Sequence, residues 1–202
     1  MPRNLLPLAV LLLSALSLPA RAADYVQAPG STLTFAGSYQ GETFTGRFPD
    51  FSTRLRFDPK QLGQARLDVA IPLASATTGV ADFDAELHGG AFFDVSRFPQ
   101  ARYTATRFRA LGGNRYAADG VLTLRGVSKP VTLTFTWTPG AKPVLAGKAT
   151  VKRLEFGVGG GEWADTELLP DAIAVSAKVV FAPAKTQAAP ASGARPAPAG
   201  SR

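Results

Sequence analysis

The side chains best suited to chemistry in this chain are a single histidine, His88, and a group of carboxylates, Asp165, Glu167 and Asp171. An imidazole titrates near neutral pH and serves as a base or a metal ligand. It needs partners for either task, and the chain has no cysteine and no second histidine. Zinc sites and Ser-His-Asp or Cys-His nucleophiles therefore lose their usual residues. His88 reads instead as a solvated residue at the end of a short helix. Paired carboxylates hydrolyse glycosides only when they oppose each other across a cleft, and one loop segment does not supply that geometry. Residues 157–161, GVGGG, carry the glycines of a phosphate loop, but no Lys-Ser/Thr follows and no helix begins there. They read as a flexible turn beside a strand.

What the chain has in quantity is apolar and aromatic: thirteen Phe, four Tyr and two Trp. The elements that carry them alternate. In the stretch 119–137, DGVLTLRGVSKPVTLTFTW, the residues Val131, Leu133, Phe135 and Trp137 are interleaved with Thr132, Thr134 and Thr136. A period of two places the apolar set on one face of a strand and the threonines on the other. Residues 121–124 form a second apolar run, with the break placed at 126–130, where Gly126 frees the backbone and Pro130 removes a donor. The spacing predicts an antiparallel hairpin.

The same pattern recurs along the chain. It predicts strands at 31–39, 43–48, 51–57, 65–71, 102–109, 116–124, 131–138, 144–156 and 172–181, about nine in all. Residues 82–88 break the alternation, with Phe83 and Leu87 four apart among acids, and predict one short amphipathic helix ended by Gly89-Gly90. No helix is long enough for a parallel crossover, so the sheet is antiparallel, and closing it into a barrel removes its edges.

Both ends lie outside that pattern. Residues 1–22 have Arg3, then an apolar run, then Ala20-Arg21-Ala22, the layout of a cleavable secretory signal peptide. The expected mature chain starts at Ala23, with a barrel domain over 23–181. Residues 182–202 are rich in Ala, Pro, Gly and Ser and read as a disordered tail. The net charge of +7 falls to +2 once Arg3, Arg21, Lys185, Arg195 and Arg202 are set aside. That balance, with no basic stripe, excludes a nucleic-acid partner.

The residues then suggest a family. DGVLTLRGVSKPVTLTF resembles the G-x-L-T-(apolar)-x-G-V-(T/S)-K-P-V hairpin of the YceI-like proteins. TGRFPDF at 45–51 is similar to that family's G-x-F-x-x-F entry to a strand. DAELHGGAFFD at 84–94 resembles its D-x-x-L-x-x-x-x-F-F-D turn, RFPQA at 97–101 its Y/F-P segment, and KRLEFG at 152–157 its R-x-x-F-G element. The resemblance implies an all-β, antiparallel, lipocalin-like β-barrel of about eight strands with one short helix, exported to the periplasm. It further implies a lumen that binds an isoprenoid lipid, a quinone or a polyprenyl chain, with no cofactor beyond that ligand. Contact with a membrane surface would be transient, and the protein a monomer or homodimer. Many members carry a histidine near the first turn and another before the helix leucine, where this chain has Ser38-Tyr39-Gln40-Gly41 and Glu86.

On the apolar phase of the strands, the candidate lining residues are Phe35, Phe44, Leu67, Val69, Tyr103, Phe135 and Trp137, with Phe92 and Phe93 gating the mouth beside the helix. Periodicity alone leaves open whether such a barrel is hollow or filled. Two other readings stand beside the carrier. One is an enzyme acting on a lipid or quinone precursor with Asp165 as base. The other is an outer-membrane barrel, which needs an outward apolar band and aromatic girdles.

Overall fold

A computed structural model describes residues 23–184, and the signal-peptide expectation and residues 185–202 of the tail lie outside them. Ten strands and one α-helix follow in chain order: β1 (Ala23–Gln27), β2 (Thr32–Tyr39), β3 (Glu42–Arg47), β4 (Ser52–Phe57), β5 (Arg66–Pro72), α1 (Ala81–His88), β6 (Gln100–Gly112), β7 (Arg115–Leu124), β8 (Val127–Thr138), β9 (Val144–Lys152) and β10 (Ala172–Pro183). All pairings are antiparallel. Eight strands close a ring in the order β1-β4-β5-β6-β7-β8-β9-β10, and β10 returns to β1. The β2–β3 hairpin is an annex on the same ring. β2 pairs with one half of β10, at Ala174 to Lys178, while β1 pairs with its other half, at Phe181 to Pro183. A bridge between Arg47 and Thr77 ties the end of β3 to the segment before α1.

The inward phase follows the alternation of the sequence. In β4, Thr53, Leu55 and Phe57 are buried while Ser52, Arg54 and Arg56 are exposed. The outward faces carry arginine, lysine and threonine, as at Arg66, Arg102, Lys148 and Lys178. An outward apolar band of the kind a membrane-spanning barrel presents is not what these strands display.

Several sequence expectations need correction. The first strand, β1, carries little alternation in five residues, three of them exposed or nearly so, and it was not anticipated. The break in the β7–β8 hairpin is shorter than expected: Leu124 pairs with Val127 across Arg125 and Gly126, whose φ values of 50° and 74° suit a tight two-residue turn. Pro130 sits inside β8 rather than before it. It is tolerated because β8 pairs with β9 only from Thr134 onward, so the proline lies where one side of the strand has no ladder to donate to. At the other end, the expected strand 144–156 stops at Lys152, and Arg153–Phe156 is a 3₁₀ turn closed by Gly157 at φ 67°. The barrel also runs beyond Phe181, because Ala182 and Pro183 pair with Val26 and Tyr25.

The helix begins where Asp84 gathers the chain before it. Its carboxylate accepts from the Thr77 hydroxyl at 2.5 Å, the Thr78 amide at 2.6 Å and the Thr78 hydroxyl at 2.7 Å. These charge-assisted bonds hold the carboxyl at about 2, the Thr77 hydroxyl contributing most. His88, at the other end, is half-buried rather than solvated, and its Nε2 donates to the Ala76 carbonyl at 2.8 Å.

Candidate functional site

The inward residues divide the barrel interior into a sealed floor and a hollow lumen. The floor is aromatic. Phe57 meets Tyr116, Phe135 and Trp137 at ring-centroid distances of 5.1, 5.7 and 5.1 Å, and Tyr25 and Phe181 extend the cluster over Trp137. Mostly tilted and edge-on contacts of this kind fill space densely. Above the floor lies a cavity of about 310 Å³ lined by residues of β2 to β10 and of α1. That size falls within the range of small-molecule pockets.

Three of the lining rings, Phe35, Phe44 and Tyr103, leave the lumen open by lying over glycines of the wall. Phe35 pairs across the hairpin with Gly46, and Phe44 pairs with Gly37. A Cβ on Gly46 would overlap the Phe35 ring, and one on Gly37 would come within 2.7 Å of Phe44. Tyr103 covers Gly120 in the same way, at 2.6 Å. Each glycine leaves a hollow in the wall that an aromatic ring occupies instead of crossing the lumen. The Tyr103 hydroxyl is also used up in the wall: Oη donates to the Ala118 carbonyl at 2.8 Å, with that of Val131 at 3.1 Å. Burial pushes its pKa well above the ordinary tyrosine value. What remains facing the cavity is almost entirely carbon. Two polar atoms of lining residues, Thr53 Oγ1 and Trp163 Nε1, are buried without a hydrogen-bond partner.

The rim is built from α1, the β2–β3 turn and the connection 153–171. The cavity reaches the surface here, for Phe83 lines it while being 57% exposed. Arg153 holds the connection together from inside. It is 3% exposed. Its five N–H groups donate to the carbonyls of Pro170, Val158, Gly159, Trp163 and Leu169 at 2.5 to 3.2 Å. Burial lowers its pKa and Asp171 opposes that shift. Two backbone bonds anchor the rim further: Gly159 donates to Ala91, and Gln40 to Leu168. The glycine run 157–161 is thus a latch against the α1 side rather than a free turn. Arg125 closes the other flank by donating to the carbonyls of Gly90 and Phe92.

Of the candidate residues, Phe35, Phe44, Leu67, Val69, Tyr103, Phe92 and Phe93 line the cavity. Phe92 packs edge-on against Trp163 at 5.3 Å on the rim, whereas Phe93 is buried in the wall beside Phe48. Phe135 and Trp137 do not line it. Their phase was right, but they lie toward the end of β8 that enters the floor, and Val131 and Leu133 of the same strand take the lumenal positions. Sequence reasoning missed Trp163 and Arg153 as rim residues because they lie in turns where alternation gives no phase. It missed Tyr39 because period two, which puts it in phase with Leu33 and Phe35, does not say how near the rim it sits. Asp165 stands exposed outside the lining and accepts from the Glu167 amide at 2.8 Å. Asp171 accepts from the Leu154 amide. Both carboxylates are occupied in holding the connection.

An antiparallel barrel with an aromatic floor, a carbon-walled lumen and a helix on its rim is a lipocalin-like barrel. Residues 25–181 match the YceI-like domain, and the chain belongs to that family. It is 31% identical over 137 residues to the UPF0312 protein VPA0850 of Vibrio parahaemolyticus, covering 66% of this chain and 72% of that protein. Among solved structures it is similar to Burkholderia cenocepacia BcnA, with 30% identity and a TM-score of 0.72 over 74% of this chain and 95% of that one. A polyisoprenoid binding domain from Saccharophagus degradans shares the fold at 15% identity, with a TM-score of 0.62 over 81% of this chain and 99% of that one.

Proposed function

We propose that this protein is a periplasmic binding protein that sequesters or carries an isoprenoid lipid, a quinone or a polyprenyl chain, in its lumen without catalysing a reaction. One observation carries the reading: the lumen is hollow, closed at its floor, open at one rim and walled by carbon. A polyprenyl chain offers almost only apolar surface, worth about 25 cal/mol per Å² removed from water, so such a wall needs no polar code to hold it. The Saccharophagus domain of the same fold, described as polyisoprenoid binding, supports the ligand class. The signal-like layout of residues 1–22 supports export. The carboxylate of Asp165, the best candidate base for an enzyme, lies outside the cavity and is held by its own turn.

The test uses the two tryptophans, Trp163 on the rim and Trp137 in the floor, which bracket the cavity. Titration with a long-chain isoprenoid quinone should quench their fluorescence saturably at one quinone per chain, and added polyprenol should relieve the quench. Quenching that never saturates, and that polyprenol does not relieve, would contradict the proposal.

A further inference from the structure

We propose that the lumen accepts isoprenoid chains with an uncharged head group and turns away phosphorylated ones. This rests on the carrier reading above and adds a head-group class to it. Two charged side chains line the cavity, Arg153 and Glu86. Arg153 is the residue that would ordinarily receive a phosphate, since a guanidinium presents a fork of donors to its oxygens. Here all five donors are already committed to five carbonyls. A phosphate could recruit them only by dismantling the connection 153–171. The other charge, Glu86, is an exposed carboxylate and repels an anion.

The surrounding rim has the same sign. The segments 73–99 and 153–171 hold nine of the fifteen acidic residues, against Arg97 and Arg153. Asp82, Glu86, Glu162, Asp165 and Glu167 are exposed there with no ion-pair partner among the described residues. The neighbouring cations are mostly spoken for. Arg97 pairs with Asp94, Lys152 with Glu155, and Arg125 donates to carbonyls. Arg125 keeps its charge while donating to neutral carbonyls, and with Arg47 at the end of β3 it is what opposes these acids. The donors in the lining without partners, the Trp163 indole N–H and the Thr53 hydroxyl, are neutral. A quinone carbonyl or an alcohol needs no more than one such donor, whereas a diphosphate would be desolvated against carbon and carboxylate.

The test is a tail-matched series: one polyprenyl chain bearing a hydroxyl, a benzoquinone or a diphosphate, each competing with a fluorescent apolar probe at low and high salt. The alcohol and quinone should displace the probe equally well, and the diphosphate about tenfold less well or worse at low salt, a gap that narrows as salt screens the rim. Glu86→Lys should also narrow the gap, measured relative to the alcohol on the same variant. Diphosphate binding as tight as the alcohol would overturn the head-group inference while leaving the carrier reading intact. Displacement by none of the three would overturn the carrier reading itself. A gap unmoved by both salt and Glu86→Lys would refute the electrostatic basis proposed for it.

Discussion

Gly46→Ala fills the lumen from its own wall. The Phe35 ring lies in the space a Cβ would need, and the Gly46 backbone is fixed by pairing on β2, so the ring must leave the wall. Overpacking of this kind costs about 1–3 kcal/mol of stability. For a domain of this length about 2 kcal/mol corresponds to a fall in Tm of roughly 4–8 °C. The displaced ring has the lumen as its open side, and there it takes the place of about one five-carbon isoprene unit. At about 0.8 kcal/mol per buried CH₂ that loses up to about 4 kcal/mol of ligand burial. Each 1.4 kcal/mol is a factor of about ten, so affinity for a long polyprenol should drop by one to three orders of magnitude. The assay pairs calorimetric titration of long and short polyprenols with thermal unfolding. Gly63→Ala serves as control, because that position is exposed with open space around it. Short chains should lose less than long ones, and adding Phe35→Leu should recover part of the long-chain affinity. Unchanged Tm and unchanged long-chain affinity in Gly46→Ala would refute the idea that glycine hollows keep the lumen open.

Further predictions concern the floor, the rim and the helix. Trp137→Ala should cost about 3–5 kcal/mol of stability, by chemical denaturation, because it opens a cavity in a packed aromatic cluster. In the fraction that remains folded, ligand affinity should fall less than it does for Val69→Ala together with Phe44→Ala, which strip the lumen wall. Arg153→Lys offers at most three donors where five are used, so carbonyls lose partners and stability should fall by about 2–4 kcal/mol. Protease cleavage within 153–171 should accelerate with it. Asp84 has a folded pKa of about 2, below its unfolded value of 3.8. A depressed folded pKa gives stabilisation that is complete above the unfolded value and is lost as pH falls through the folded one. The protection of amides around residues 77–88, relative to their intrinsic exchange rates at each pH, should therefore fall between about pH 4 and pH 2, and Asp84→Asn should already be poorly protected at neutral pH and flat across that window.

The interior of the barrel was legible in the sequence wherever strands are half-buried. Leu33, Phe35, Leu67, Val69, Leu133 and Val175 all face inward as their alternation requires, because a one-residue phase error would expose the whole apolar set. Period two says which face is inward, but not how far along the axis a residue sits. For that reason Phe135 and Trp137 were placed in the lumen and belong to the floor. The glycine–ring pairs carried a readable signal. Gly37 and Gly46 lie on opposite strands of the hairpin turned at Gln40-Gly41, each directly opposite an aromatic, and a glycine facing a ring across a hairpin marks a wall thinned for that ring. The rim was not legible in this way. Arg153, Trp163 and Asp84 act through carbonyls and amides of the irregular segments they belong to, where neither alternation nor helical spacing says which backbone groups a side chain meets.

The most direct test of the carrier account is native mass spectrometry of the protein purified from its producing cells without detergent, followed by solvent extraction of whatever it holds. The account predicts a discrete adduct that releases a lipid whose mass fits an isoprenoid series with an uncharged head. A ligand-free mass that stays unchanged after incubation with long-chain quinones and polyprenols would contradict it.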